Sequence, residues 1–249
     1  MTSPLLWKLR KKARNLLPPA FLPRAEAERL FAGKTGLEIG GASPWFRRRL
    51  PLYRLAERVD NCNYAEDEAR YTEVHGDRFA PGRGQQFIAE ATNLHFAAAE
   101  SYDFVASSHC LEHVANPIKA LREWARVLKP GGAFALVLPD GAETFDRQRP
   151  VTPLAHLVDD YEKDVGEDDL THLEEILRLH ELRLDRPARE CAEGFEARSR
   201  RNAENRMLHH HVFDADTATG AVRQAGFEVL RAGRYRPHDV FVLAQKPTG

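Results

Sequence analysis

The chain has 249 residues, 36 of them basic and 37 acidic, with a formal net charge of −1; hydrophobic residues make up 43% and charged residues 29%. That length suffices for one α/β domain with an insertion or a terminal arm, and the composition is that of a globular protein. The charge balance gives no support to general nucleic-acid binding, and no apolar run approaches the ~18 residues of a membrane span.

Residues 1–34 read as an N-terminal helical arm. Lys8, Arg10, Lys11, Lys12, Arg14 and Arg24 all precede the first acid, Glu26, and Leu5, Leu6, Trp7, Leu9, Leu16 and Leu17 are interleaved with them. Two readings stand open: a basic amphipathic helix on an anionic membrane surface, contacting it through residues 1–24, or a helix packed on the core with a solvated charged face. The start, Met1 to Lys8, lacks the apolar core and cleavage site of a signal peptide. Cys62, Cys110 and Cys191 share no metal or disulfide spacing, so the expected location is the cytoplasm, with peripheral contact at the inner face of the membrane as the alternative. Pro18-Pro19 ends the basic segment, and a second short helix is expected over Ala25 to Ala32.

Residues 35–139 carry the strand and turn signals of a nucleotide-binding core. Leu37-Glu38-Ile39 reads as a short strand, and Gly40-Gly41-Ala42-Ser43 lets the backbone turn sharply and a ligand approach main-chain N–H groups. Arg58-Val59-Asp60 reads as a second strand with an acid at its tip, 20 residues beyond Gly40, a spacing suited to a ribose diol; a plain polar turn is the other reading. Phe104-Val105-Ala106 and Ala133 to Leu138 are continuous apolar runs, as expected of strands covered on both faces. Between them, Asn116 and Pro117 open a helix whose Ile118, Leu121, Trp124, Ala125 and Leu128 share one face, and Lys129-Pro130-Gly131-Gly132 stops it. Strand, helix and strand in this order predict a right-handed βαβ unit.

Residues 140–213 break this rhythm and read as a helical insertion forming a substrate cap. Nine acids and one Lys fall between Asp159 and Glu175, eight Arg between Arg178 and Arg206, and a helix is expected from Asp168 to Leu182. Residues 214–249 complete the core: a helix capped by Asp214 or Asp216 and closed by Gly226, then strands at Phe227 to Leu230 and Val240 to Leu243 joined as a hairpin.

Set in order, these pieces resemble the type 11 family of class I S-adenosylmethionine (SAM)-dependent methyltransferases, over residues 35–139 and less closely over 214–246. The resemblance implies a doubly wound, Rossmann-like, mostly parallel seven-stranded sheet, with the helical insertion before the last helix and hairpin. It implies SAM as cosubstrate. Glu38, Gly40 and Gly41 match the first-strand motif beneath the methionine part of SAM, and Asp60 matches the acid on the ribose. Glu90 and Ala91 match the acid and small residue beside the adenine. Ser108, His109 and Leu111-Glu112-His113 match the loop after strand four, facing cofactor and substrate. In this chain Ala42 and Pro44 stand where the family has its second and third glycines. A narrower likeness, on Thr144-Phe145-Asp146, Arg149-Pro150, Thr171 to Glu175 and His209 to Asp214, is to a subgroup associated with bacterial surface-polysaccharide assembly.

Methyl transfer from SAM is an in-line displacement, and an alcohol acceptor needs a base to take its proton. Six of the eleven histidines lie in the insertion, three of them consecutive at His209, His210 and His211. His209 or His211 is the expected base or substrate contact, with His109 near the cofactor as a further candidate. The other reading is structural, with these histidines capping helix ends and filling polar interfaces, and Glu112 is read as capping the following helix. No metal ligands are assigned, although His beside Asp214 or Asp140 would suit several metals. The expected reaction is O-methylation of a sugar hydroxyl or related polar metabolite, on a small-molecule or glycan acceptor. The alternatives are a non-catalytic SAM-binding protein, or an enzyme acting on a carboxylate, phosphate or amine. A nicotinamide dehydrogenase would need the fuller G-x-G-x-x-G turn, which Gly40 to Trp45 does not supply.

Overall fold

The computed structural model describes residues 22–66, 84–185, 192–235 and 238–249. Residues 1–21 of the basic arm and Cys191 lie outside the described residues.

Seven strands form one sheet: β1 (Thr35–Ile39), β2 (Arg58–Asn63), β3 (Gln86–Ile88), β4 (Tyr102–Ser108), β5 (Leu128–Pro139), β6 (Glu228–Tyr235) and β7 (Asp239–Gln245). Their order is β3-β2-β1-β4-β5-β7-β6. The first five run parallel, and β7 is antiparallel to both β5 and β6. The order reverses between β1 and β4, which opens a crevice at their C-terminal ends, where doubly wound sheets bind ligands.

The apolar runs are continuous because both faces of the sheet are covered. Along β5, Phe134, Leu136 and Leu138 enter one core with Ile118, Leu121 and Trp124 of α4 (Pro117–Val127) and Ala218, Ala221 and Val222 of α9 (Ala215–Gln224). Ala133, Ala135 and Val137 enter the other, against α1 (Arg24–Phe31), α2 (Pro44–Arg48) and α3 (Leu52–Leu55). Phe31 of α1 meets Phe104 edge-on at 5.2 Å between ring centroids, so the last part of the segment preceding β1 is packed onto the sheet.

The start of α4 follows its sequence signals: the Asn116 side chain accepts from Lys119 N at 3.0 Å, with Pro117 in the first turn. Its end differs in detail. Leu128 already pairs with Tyr102, and Lys129 to Gly132 form an irregularity within β5, with Gly131 at φ +72°, before pairing resumes at Ala133.

The insertion holds α5 (Leu154–Glu162), α6 (Leu173–Leu179), α7 (Ala192–Ser199) and α8 (Asn202–Asn205). The helix expected over Asp168 to Leu182 is confined to α6, because His172 and the residues before it form turns in which Thr171 bonds back to Asp169. Leu173, Ile176, Phe195 and Leu208 give the insertion a small core of its own.

Candidate active site

A cavity of about 770 Å³ opens at the C-terminal ends of β1, β2 and β4. Ile39, Gly40, Ala42, Ser43, Cys62, Asn63, Glu90, Ala91, Ser108 and His109 line its sheet side, and Glu167, Arg206 and Met207 of the insertion line the other. The insertion therefore lies over the crevice. The volume is in the range that accepts a cofactor-sized ligand.

The glycine loop is held from below. Glu38 is fully buried; it accepts from Ser43 N at 2.9 Å and from the Tyr53 hydroxyl. Burial pushes its carboxyl up to about 6, against the lowering effect of those donors. Gly40 has φ +75°, and a Cβ there would lie 2.6 Å from Cys110 Cβ, so both backbone angle and space require glycine. Gly41 packs against Glu38 and Asn61. Glu38 and Gly41 thus stand behind the lining that Gly40, Ala42 and Ser43 present. Pro44 occupies the first turn of α2, and Ser43 caps that helix by accepting from Phe46 N.

Asp60 requires a correction. β2 runs on to Asn63, so Asp60 lies inside the strand, paired beside Leu37, and does not line the cavity. Its carboxylate accepts from Arg58 at 3.0 Å, the Tyr102 hydroxyl at 3.0 Å and Gln85 N at 2.8 Å. The strand tip carries Asn63, whose amide donates to Gly41 O at 2.6 Å. Asn63 was missed because an acid was sought and the strand was ended too early.

Glu90 and Ala91 do line the cavity, just beyond β3. Glu90 is bridged at 2.6 Å by Arg206, which also lies 3.7 Å from Glu167. Burial raises the Glu167 carboxyl to about 7, against the pull of Arg206. Sequence reasoning did not single out Glu167; the dense acids from Asp159 to Glu175 were its only trace.

His109 follows β4 with φ +54° and is half-exposed into the cavity. Its Nε2 lies 3.2 Å from Asp239 and its Nδ1 3.7 Å from Glu112. Burial opposes its charged form, but Asp239 and Glu112 outweigh that and raise its pKa. Glu112 does not cap α4, since Asn116 does. It is fully buried in the turn Leu111–His113, with neither carboxylate oxygen hydrogen-bonded, and burial raises its pKa. Burial, with the neighbouring His209, pushes His113 down to about 3, leaving a neutral ring whose Nδ1 donates to Leu208 O at 2.9 Å.

The three consecutive histidines part company. His209 packs edge-on against His113 and is held by Asp146 at 2.6 Å; it stands behind the lining. His210 is buried against Asn202 at 2.8 Å. His211 is buried 2.9 Å from Asp160, among His156 and His172, and lines no part of the cavity. The expectation that His209 or His211 faces the reacting methyl is corrected accordingly: successive side chains point apart, and buried carboxylates claim these two. Asp214 and Asp140, the acids considered as metal partners, are used elsewhere. Asp214 caps α9 through Thr217 N, and Asp140 pairs with Arg234.

Residues 37–136 match the model of the methyltransferase domain family. This stretch is a class I SAM-dependent methyltransferase domain. SAM is the cosubstrate that the domain and its fold imply. Ubiquinone biosynthesis O-methyltransferases from Parvibaculum lavamentivorans and Ruegeria pomeroyi are 28% and 30% identical over 108 and 105 residues. Those matches take in 43% and 42% of this chain and 41% of each relative, so the chain spans about two fifths of the curated relatives' length. Among solved structures, a SAM-dependent methyltransferase from Mesorhizobium loti aligns with a TM-score of 0.54 at 16% identity, covering 91% of this chain and 94% of that one. A putative methyltransferase solved in complex with the Trm112 activator of Haloferax volcanii gives 0.53 at 14%, covering 97% and 95%. At such identities these two bear on the fold alone.

Proposed function

We propose that the protein transfers the methyl group of SAM to a hydroxyl of a polar acceptor of the sugar class. The observation that carries this is the cavity itself. The methyltransferase strand ends line one side, and the insertion brings Glu167 and Arg206 to the other. SAM fits the strand side, and the acceptor lies beneath the insertion. The acceptor oxygen attacks the methyl carbon as the carbon–sulfur bond breaks, S-adenosylhomocysteine leaves, and the hydroxyl proton passes to a base. Two lining groups can take it: Glu167, with its pKa near neutrality, and His109, set by Asp239. Charged and hydrogen-bonding groups on the acceptor side suit a polar substrate, and the likeness to the polysaccharide-associated subgroup favours a sugar or glycan.

Calorimetry with SAM and S-adenosylhomocysteine is the first test, followed by mass spectrometry of a panel of sugars and nucleotide sugars incubated with SAM and the protein. A methyl ether on a sugar hydroxyl supports the proposal. Binding of neither cofactor form removes it, and SAM binding with methylation only of carboxylates, phosphates or amines replaces the acceptor class. The same proposal places residues 1–24 against an anionic membrane surface, where a glycan acceptor under assembly would be met. No helix among the described residues is long and apolar enough to cross a membrane.

A further inference from the structure

We propose that His156, Asp160, His172 and His211 form a binding site for one divalent transition metal ion of the zinc class. His156 and Asp160 stand one turn apart on α5 and so present to the same side. His172 comes from the start of α6. His211 comes from the segment that Thr152 and Val212 bind together, through Val212 N to the Thr152 hydroxyl at 3.0 Å and Thr152 N to Val212 O at 2.9 Å. One ligand atom from each of the four lies within 4.8 Å of every other.

The individual spacings are tighter. His156 Nε2 and His172 Nε2 are 3.0 Å apart, His156 Nε2 and Asp160 Oδ2 are 3.4 Å apart, and His211 Nε2 and Asp160 Oδ2 are 2.9 Å apart. Tetrahedral zinc with ligand bonds of about 2.0–2.1 Å separates its ligand atoms by about 3.3 Å. The four groups therefore need only small shifts to surround an ion. Three imidazoles and one carboxylate are a donor set that zinc accepts.

His211 Nδ1 is buried without a hydrogen-bond partner, so the ring is not fully accounted for by the protein's own contacts. His156 keeps a partly exposed side chain and marks the way in.

The site has a structural consequence. Glu167 lies in the chain between Asp160 and His172. An ion bound by both would pin the two ends of the loop that carries Glu167 to the cavity, and through His211 would fasten that loop to the segment bearing His209. The metal lies away from the cavity lining, so its role is to hold the insertion in place. This inference does not depend on the acceptor proposed above.

The test uses full-length protein without a polyhistidine tag, purified from zinc-supplemented medium. Elemental mass spectrometry after desalting should find about one zinc per chain, and a chelator should lower the melting temperature until zinc is returned. His156→Gln and His172→Ala should each cut the zinc content below about a tenth of an equivalent, while His113→Gln should retain it. His113→Gln addresses the second cluster of ligand-type side chains, Glu112, His113 and His209, in which Glu112 and His113 approach only to 4.0 Å. Cobalt substitution of the native chain gives a readout independent of any variant: intense visible absorption marks a four-coordinate site. Protein that takes up no zinc, shows no thermal response to it and gives no such cobalt spectrum overturns the proposal. So does zinc that survives His156→Gln and His172→Ala but is lost in His113→Gln.

Discussion

At the scale of single residues, the glycine loop was legible because its constraints are local. A turn straight after an apolar strand needs small residues, and Gly40 meets both the positive φ and the 2.6 Å approach to Cys110. Asp60 was misplaced because the end of a strand is decided by its neighbours. Parallel pairing of β2 with β3 continues through Asn63, and no local signal in Asp60-Asn61-Cys62-Asn63 announces that. Glu167 was invisible for a related reason: among nine acids, only burial beside Arg206 distinguishes it. That burial makes a definite expectation. If Glu167 takes the acceptor proton, it works as the carboxylate, so turnover should rise as the pH climbs through about 7 and then level off. Glu167→Gln should lower turnover by roughly 10²–10⁴-fold and remove that inflection, with SAM affinity nearly unchanged. A pH–rate profile of the variant that keeps both its height and its inflection would pass the role to His109, to be checked in His109→Gln.

At the scale of elements, α4 could be read almost to the residue and β4 and β5 by their apolar cores, since apolar periodicity and end signals agree there, although β4 spans Tyr102–Ser108 and β5 already begins at Leu128. The insertion could not, because its helices are short and their bounds depend on long-range polar contacts. Arg149 shows this. Buried, it reaches Asp146 at 2.9 Å, Glu175 at 2.9 Å, and the carbonyls of His209 at 2.8 Å and His210 at 3.0 Å, tying the insertion's entry, middle and exit. None of these pairs is close enough in sequence, Asp146 apart, to suggest itself. Asp146 joins Arg149 to His209, and although burial opposes its charge, those two partners hold its pKa at about 2. A carboxylate depressed from 3.8 to about 2 stabilises the fold fully above pH 4 or so, and that contribution is lost as the pH falls through about 2. The shift corresponds to about 2 kcal/mol. Asp146→Asn should therefore be less stable at pH 7 by about that amount or more, since Arg149 and His209 lose their buried partner. Its urea midpoint should also change less than the native one between pH 4 and pH 2. Equal midpoints for the two proteins at pH 7 would show that Asp146 does not hold the insertion.

At the scale of the whole molecule, the apolar strands on either side of an amphipathic helix indicated a right-handed βαβ unit, and the family resemblance, not the pattern alone, implied the doubly wound sheet around it. What the insertion does was not legible at this scale, since its function lies in contacts it makes with other parts of the chain. The basic N-terminal segment is the reverse case: its sequence is eloquent and its effect belongs to the molecule as a unit. A net charge of −1 gives no general attraction to an anionic surface, yet six basic residues precede the first acid. Each basic side chain near an anionic bilayer contributes about 1 kcal/mol, and six of them beside interleaved leucines and a tryptophan suffice for measurable binding at low salt. The full-length protein should therefore sediment with vesicles containing anionic lipid, but not with neutral ones, and should be released as the ionic strength rises and the Debye length falls below about 10 Å. Reversing three charges in the intact chain, Lys8→Glu, Lys11→Glu and Lys12→Glu together, should abolish sedimentation while leaving SAM affinity unchanged, because no described part of the cavity comes from that segment. If the native protein stays in the supernatant with anionic vesicles at low salt, the segment's leucines and tryptophan serve packing within the protein, and the acceptor must be sought away from a membrane surface.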